Sequence, residues 1–300
     1  MAYYMANKIK MNRKDFIVKS ILGSFTVLTG YSVFARIKEN TNSQLKIKKA
    51  MKTATHTSKN TETMRTVLHK ADTRGSANHG WLQSKHSFSF ANYYNPERTN
   101  FGMLRVLNDD TVSEAQGFGT HPHRDMEIIS IPLEGDLEHK DNMGTSAIIK
   151  QGDIQVMSAG TGIMHSEYNA NKDKPVKFLQ IWVFPDTNSV EPRYDQVTLN
   201  LEDRKNKLQQ VLSPNADDAG VWIHQNAWFN MTSLEKGKSL NYQLNDPVNN
   251  GVYAFLIEGE ATINGQALEK RDGFGIWNID DLDITADSNA EILLMEVPMN

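Results

Sequence analysis

From Met64 onward the chain alternates short apolar runs with polar turns. The runs are "HSFSF" (86–90), "GMLRVLND" (102–109), "MEIISIPLEG" (126–135), "SAIIKQGDIQVMSAG" (146–160), "VKFLQIWVFP" (176–185), "GVYAFLIEGEATING" (251–265), "FGIWNI" (274–279) and "EILLMEVP" (291–298). Successive side chains of a strand point to opposite faces, so alternation marks a half-buried strand and an unbroken run a fully buried one. Glycine, asparagine and aspartate punctuate the runs regularly, which predicts a sandwich or barrel with few helices. The expected fold class is all-β.

An internal repeat divides this region in two. "IPLEGDLEHKDNMGTSAIIKQGDIQVMS" aligns with "AFLIEGEATINGQALEKRDGFGIWN". Glu134-Gly135 matches Glu258-Gly259 at an offset of 124, while Gly144 matches Gly265 and Gly152 matches Gly273 at 121. Two barrels in tandem are expected, at 64–185 and 186–300, joined near "FPDTNSVEPRYDQ" (184–196), where prolines and polar residues break the pattern.

Before Met64 the character changes. Residues 1–60 carry 12 Lys/Arg against 2 Asp/Glu, leaving 20 against 34 of the chain's 32 and 36 for the rest. The barrels are acidic, which counts against binding nucleic acid. "MNRKDFIVKSILGSFTVLTGYSVFA" (11–35) joins a basic start to the uncharged stretch Ile21–Ala35 and ends in small residues. That stretch is shorter than the ~20 apolar residues of a spanning helix and suits a signal-peptide core. "NRKDFI" resembles a twin-arginine export signal with Lys14 in place of the second arginine. Residues 1–35 are therefore expected to be a signal-like segment, giving an exported, periplasmic protein with no stable membrane span after processing. The alternative is an uncleaved helix on a cytoplasmic protein. Residues 36–63, rich in Lys, Thr and Asn, are expected to form a disordered tether, with His56 solvated.

The chain has no cysteine, so disulfides and thiolate metal sites are excluded, and any metal must be held by nitrogen and oxygen. "GTHPHRDMEI" (119–128) and "GIMHSEYN" (162–169) each place metal-capable residues two apart, on one face of a strand: His121 with His123, and His165 with Glu167. Glu127 continues the parity of 121 and 123. The repeat supplies an internal comparison. The matched offsets carry these four positions to Asn245, Pro247, Ala286 and Ser288, none of them histidine or acid, so the second barrel is expected to hold no metal.

The spacing of "HPHRDME" matches the first motif of cupins, which are jelly-roll-like double-stranded β-helix barrels. "GDIQVMSAGTGIMHSE" (152–167) departs from the common second motif and resembles the pirin family. The resemblance covers about residues 65–300. It is carried by "RGSANHGW" (74–81), "HSFSFANYY" (86–94), "LRVLNDD" (104–110), "GFGTHPHRDMEI" (117–128), "LEHKDNMG" (137–144), "MSAGTGIMHSEYN" (157–169) and "PRYDQ" (192–196). These motifs are similar to those of the bacterial pirin-like quercetin 2,3-dioxygenases, as is "GEATING" in the second barrel.

The resemblance implies a bicupin in which His121, His123, His165 and Glu167 bind one divalent metal, Fe(II) first, with Cu, Ni, Mn, Co or Zn as alternatives. It implies an oxidoreductase, a monomer, that opens a flavonol such as quercetin with O2 as co-substrate and releases carbon monoxide. Glu167 is the first candidate for the base that takes the substrate's 3-hydroxyl proton, and Glu127 the second; Glu127 could equally orient an imidazole. Two other functions stay open: a metal-binding redox sensor or regulator without turnover, and a cupin enzyme acting on another small molecule. Trp81, Phe88, Phe90 and Phe118 are read as core before substrate-lining residues. His79, His86, His139 and His224 are read as structural, and Arg124 as either a surface ion pair or an anion contact.

Overall fold

Residues 63–300 are described in the computed structural model of the chain. The expected signal-like segment (1–35) and, apart from Thr63, the expected tether (36–63) lie outside the described residues.

The first half forms β1 (Arg65–His69), β2 (Gly75–Asn78), β3 (Leu82–His86), β4 (Leu104–Val112), β5 (Gly117–His123) and β6 (Glu127–Glu134). It continues with β7 (Leu137–Asp141), β8 (Ser146–Ile149), β9 (Asp153–Ser158), β10 (Ile163–Asn169), β11 (Val176–Val183) and β12 (Arg193–Thr198). The second half forms β13 (Gln209–Ser213), β14 (Val221–Trp222), β15 (Trp228–Leu234), β16 (Ser239–Gln243) and β17 (Asn250–Glu258). There follow β18 (Glu260–Ile263), β19 (Gln266–Glu269), β20 (Gly273–Trp277), β21 (Asp281–Ala286) and β22 (Ala290–Pro298). Only two short 3-10 turns, Ala71–Thr73 and Leu201–Arg204, are helical among the described residues. The all-β expectation holds.

Each barrel pairs a seven-stranded sheet with a four-stranded one. In the first, β12-β9-β6-β11-β4-β3-β2 faces β5-β10-β7-β8; in the second, β1-β20-β17-β22-β15-β13-β14 faces β16-β21-β18-β19. The outer faces of the two large sheets meet in the central core, where Leu107, Ile129, Ile131, Leu179 and Ile181 pack with Phe229, Met231, Tyr253, Phe255 and Leu293. Strands β6, β11, β17 and β22 are thus covered on both faces, which is why they read as unbroken apolar runs.

The two halves exchange edge strands. β1 pairs with β20 in the second barrel, and β12 pairs with β9 in the first. The line between 185 and 186 is crossed twice, because an edge that would otherwise expose unpaired backbone groups is covered by a strand from the other half. The run "HSFSF" is also not one strand. β3 stops at His86, Phe88 turns into the central core, and Ser89 Oγ closes a loop with Asn95.

The interiors differ. The second barrel has one apolar core, running from Leu234 and Tyr242 through Ile263 to Ile284 and Leu294. The first is divided between Leu82, Val112, Leu137, Ile149, Val176 and Phe178 at one end and Ile128, Met157, Ala159 and Ile163 at the other. Buried polar side chains stand between these two clusters.

Candidate metal centre

β10 alternates strictly, with Ile163, His165, Glu167 and Asn169 buried and Met164 and Tyr168 exposed. Its inward face brings His165 opposite His121, while Ile163 faces His123. The β5–β10 ladder slips between these pairs and Glu167↔Phe118, so β5 carries one extra residue beside the site. Such a bulge bends a strand and re-aims its side chains. Here it exposes the Gly119 carbonyl to His121, whose Nδ1–H donates to it at 2.7 Å. That bond leaves Nε2 as the free lone pair.

His121, His123 and His165 offer nitrogen atoms that all lie within 4.8 Å of one another. Burial, then the neighbouring imidazoles, lowers the pKa of His165 to about 2; burial, then His121, lowers that of His123 to about 4. Both rings are neutral near pH 7, the form that ligates a metal. His165 Nε2 is buried and has no hydrogen-bond partner. A buried nitrogen lone pair in that state is costly unless a cation or donor meets it, so the three residues fit a divalent ion.

His139 sits behind the cluster. It is fully buried, its Nδ1 lies 3.4 Å from His165 Nδ1, and its Nε2 lies 3.1 Å from Asp141 Oδ2. With Nε2–H donating to Asp141, the His139 Nδ1 accepts from His165 Nδ1–H, which again directs His165 Nε2 into the cluster. Against the cost of burial, hydrogen bonds from His139, Thr145 and Met143 hold the Asp141 carboxyl below its usual value.

Glu167 lines the same cavity but stands apart from the set of three nitrogens. Its carboxylate accepts from Gln180 Nε2 at 3.0 and 3.2 Å and from Ser130 Oγ at 3.2 Å. Burial raises its pKa.

Glu127 is elsewhere. Its side chain shares the parity of Ile129 and Ile131, which face the second barrel, and is opposite to Ser130, which reaches Glu167. It accepts from Ser158 Oγ at 2.7 Å and from the His224 backbone, with Arg193 beyond. The parity of 121 and 123 does not continue to 127. The chain leaves one sheet and enters another through Asp125, at φ 46°. The reading of Glu127 as a base or an imidazole-orienting acid beside the metal is corrected accordingly.

The strand pairings also correct the matched positions in the second barrel. Ile129 faces Val156 as Tyr253 faces Gly275, which equates β9 with β20 at an offset of 119 rather than 121. Asp153 and Asp272 then coincide, and each accepts a backbone N–H three residues back, from Lys150 and Glu269. Asn169 faces Leu137 as Ala286 faces Ala261, so Glu167 falls on Ile284 and His165 on Leu282. Tyr242 faces Leu282 and Leu244 bonds Asp280, so they take the places of His121 and His123. All four counterparts belong to the second barrel's apolar core.

The cluster opens on a cavity of about 390 Å³ lined by Trp81, Leu82, Phe90, Phe118, Phe178 and Trp182 together with His121, His123 and Glu167. Trp81 meets Phe118 edge-on at 5.3 Å, and Trp182 meets both His123 and Phe90. Of the four aromatic residues read as core, Trp81, Phe90 and Phe118 line this cavity and Phe88 does not. His79 and His86 line it too. His224 meets Trp222 edge-on outside it, and Arg124 bonds Asp125 on the surface. His86 was read only as structural, and the other polar residues on this wall, Ser84, Asn108, Asp110 and Gln180, escaped sequence reading. A polar residue inside an apolar run, as in "FLQIW" (178–182), was the available signal.

Two facing-sheet barrels, one carrying three converging histidines beside an aromatic cavity, define a bicupin with one candidate metal centre. The sequence model of the pirin family matches residues 67–183, and that of the quercetinase C-terminal cupin domain matches 210–297. Quercetin 2,3-dioxygenase of Escherichia coli (strain K12) is 44% identical over 231 residues, covering 77% of this chain and 98% of that protein. A pirin-like protein of Caulobacter vibrioides is 38% identical over 226 residues, covering 75% and 96%. The crystal structure of YhhW from Escherichia coli superposes with a TM-score of 0.75 at 43% identity, covering 79% of this chain and 99% of that one. YhhW in complex with nickel(II) superposes with 0.74 at 42% identity, covering 79% and 100%. This chain belongs to the pirin family.

Proposed function

We propose that this protein is a pirin-type quercetin 2,3-dioxygenase, opening a flavonol with O2. The observation that carries the reading is the convergence of three imidazoles, one with an unpartnered buried Nε2, on an aromatic-lined cavity large enough for a polycyclic phenol. Relatives named quercetin 2,3-dioxygenase and a pirin structure with nickel support it. His121, His123 and His165 would hold the ion, with Glu167 as a fourth ligand or as the base; Fe(II) is our first choice on the family resemblance. When bound, such an ion supplies positive charge that stabilises a deprotonated substrate hydroxyl. Glu167, raised in pKa by burial and oriented by Gln180 and Ser130, receives that proton at its carboxylate. The apolar walls exclude water from the reacting ring.

The test is turnover by apo-protein reloaded separately with Fe(II), Ni(II), Mn(II), Co(II), Cu(II) or Zn(II), read as loss of quercetin absorbance with carbon monoxide release. Consumption without carbon monoxide, or no turnover with any ion, would overturn the reading. We also propose export: mass spectrometry of the native protein should find an N-terminus near Arg36, and an intact Met1 or Met11 on soluble protein would refute this.

A further inference from the structure

The wall of the cavity on the large sheet carries polar side chains that the proposed reaction leaves without a role. β3 and β4 pair so that His86 faces Asn108 and Ser84 faces Asp110. All four side chains are buried, and all four line the cavity. His86 Nδ1–H donates to Asn108 Oδ1 at 2.9 Å and lies 3.3 Å from Ser84 Oγ, whose hydroxyl donates to Asp110 Oδ1.

Counting donors and acceptors exposes what is missing. The Nδ1–H and the serine hydroxyl are both spent inside the network. Asp110 Oδ2 and the second ring nitrogen of His86 remain as acceptors, and Asn108 Nδ2 remains as a donor; none has a partner among the described residues. No cation is paired with Asp110, since Arg74 and Arg271 bond the neighbouring Asp109 on the other face. Burial, opposed by the Ser84 bond, pushes the Asp110 carboxyl up to about 7. These atoms front the cavity, where they stand ready to pair with a ligand. A phenolic hydroxyl suits them, because one such group donates a proton and accepts another.

We propose that Asp110, with His86 and Asn108, is a specificity site that binds a ring hydroxyl of the substrate at the wall opposite the histidine cluster. The histidines stand on the four-stranded sheet and Asp110 on the seven-stranded sheet facing it. Packed sheets lie roughly 10 Å apart, a span that one flat polycyclic phenol can bridge. The inference rests on the flavonol reading and deepens it: the preferred substrate carries hydroxyls beyond the one presented to the cluster.

The experiment is anaerobic titration of metal-loaded protein with quercetin and with 3-hydroxyflavone, which keeps only the 3-hydroxyl, followed by tryptophan fluorescence. The unaltered protein should bind quercetin about 10–100-fold more tightly, the range of a charge-assisted hydrogen bond. Asp110→Asn, which can still accept from Ser84, and Asp110→Ala should each lose most of that preference while 3-hydroxyflavone affinity stays within about threefold. Metal content and melting temperature identify a variant that fails to fold. No preference in the unaltered protein, or a full preference in folded Asp110→Asn and Asp110→Ala, would overturn the proposal. Turnover is read separately: a preference that depends on Asp110, without ring opening, would support this site while refuting the dioxygenase.

Discussion

Replacing Glu127 by glutamine should stabilise the protein at alkaline pH and leave its metal alone. Burial, only partly offset by Ser158, Arg193 and the His224 N–H, holds the Glu127 carboxyl at about 7 in the fold against a usual 4.5. A carboxyl whose pKa is raised by folding favours the native state while protonated. That contribution is complete below pH 4.5 and is lost as pH rises through 7. Two and a half units at ~1.4 kcal/mol each put the loss on the order of 3 kcal/mol by pH 8. Glutamine keeps a neutral acceptor for Ser158 but adds an amide N–H2 that must find partners, at about 1 kcal/mol. Glu127→Gln should therefore gain about 1–3 kcal/mol over the unaltered protein at pH 8 and nothing, or a small loss, at pH 4.5. Paired urea titrations at the two pH values read the difference, and metal analysis accompanies them. An unchanged difference between variant and parent across this range would refute the reasoning, and so would loss of bound metal.

The metal site itself is tested by stoichiometry and substitution. The protein should bind about one ion per chain, and His123→Ala and His165→Ala should each lose most of it; two tight ions, or full metal in His165→Ala, would break the model. Glu167→Gln should retain substantial metal, because an amide oxygen still coordinates and the three imidazoles remain, yet lose turnover, because it accepts no proton; full activity would remove Glu167 as the base. Gly259→Ala should lower stability by more than ~1 kcal/mol: its φ is 84° and a Cβ would stand 2.1 Å from the Asn289 carbonyl oxygen. A melting temperature equal to the parent's would show that the turn relaxes freely.

The histidine pairs were legible because a strand's period is two and because β10 keeps perfect alternation, so His165 and Glu167 had to share a face. The fold class was legible for the same reason. Glu127 was misread by carrying that period across Arg124–Met126, where the chain changes sheets and the parity has no meaning. The repeat was found from glycine turns, but Gly152 and Gly273 are not equivalent; the buried turn-closing aspartates Asp153 and Asp272 are the true markers. Turn glycines slide by a residue or two at little cost, whereas a buried carboxylate that caps backbone N–H groups cannot. The edge-strand exchange left no trace in the pattern, since "TVLH" reads the same whichever sheet it joins. Asp110 and His86 were hidden because their importance lies in partners twenty-odd residues away.

The second barrel shows how the same frame fills these positions without histidines. At the four positions equivalent to His121, His123, His165 and Glu167 it places Tyr242, Leu244, Leu282 and Ile284, which join its apolar core, and the Glu296 carboxylate buried beside them is fully paired with the Tyr242 hydroxyl, the Asn250 amide and the Asn245 and Asp246 backbone N–H groups. Burying such apolar side chains stabilises by roughly 1.5–3 kcal/mol each. The first barrel gives up that gain across its whole waist. There it holds an unpartnered imidazole nitrogen, a carboxylate raised in pKa by burial, and a second carboxyl with one hydrogen bond and no cation. The second barrel avoids these costs by filling the equivalent positions with Tyr242, Leu244, Leu282 and Ile284 and by giving the carboxylate it buries, Glu296, several donors. The presence of these polar groups on both facing sheets of one barrel, and on neither sheet of the other at the ligand positions, fits the proposed ligand that spans the cavity. An ion held by the histidines would account for one wall, and the proposed contact of a substrate hydroxyl with Asp110 would account for the other.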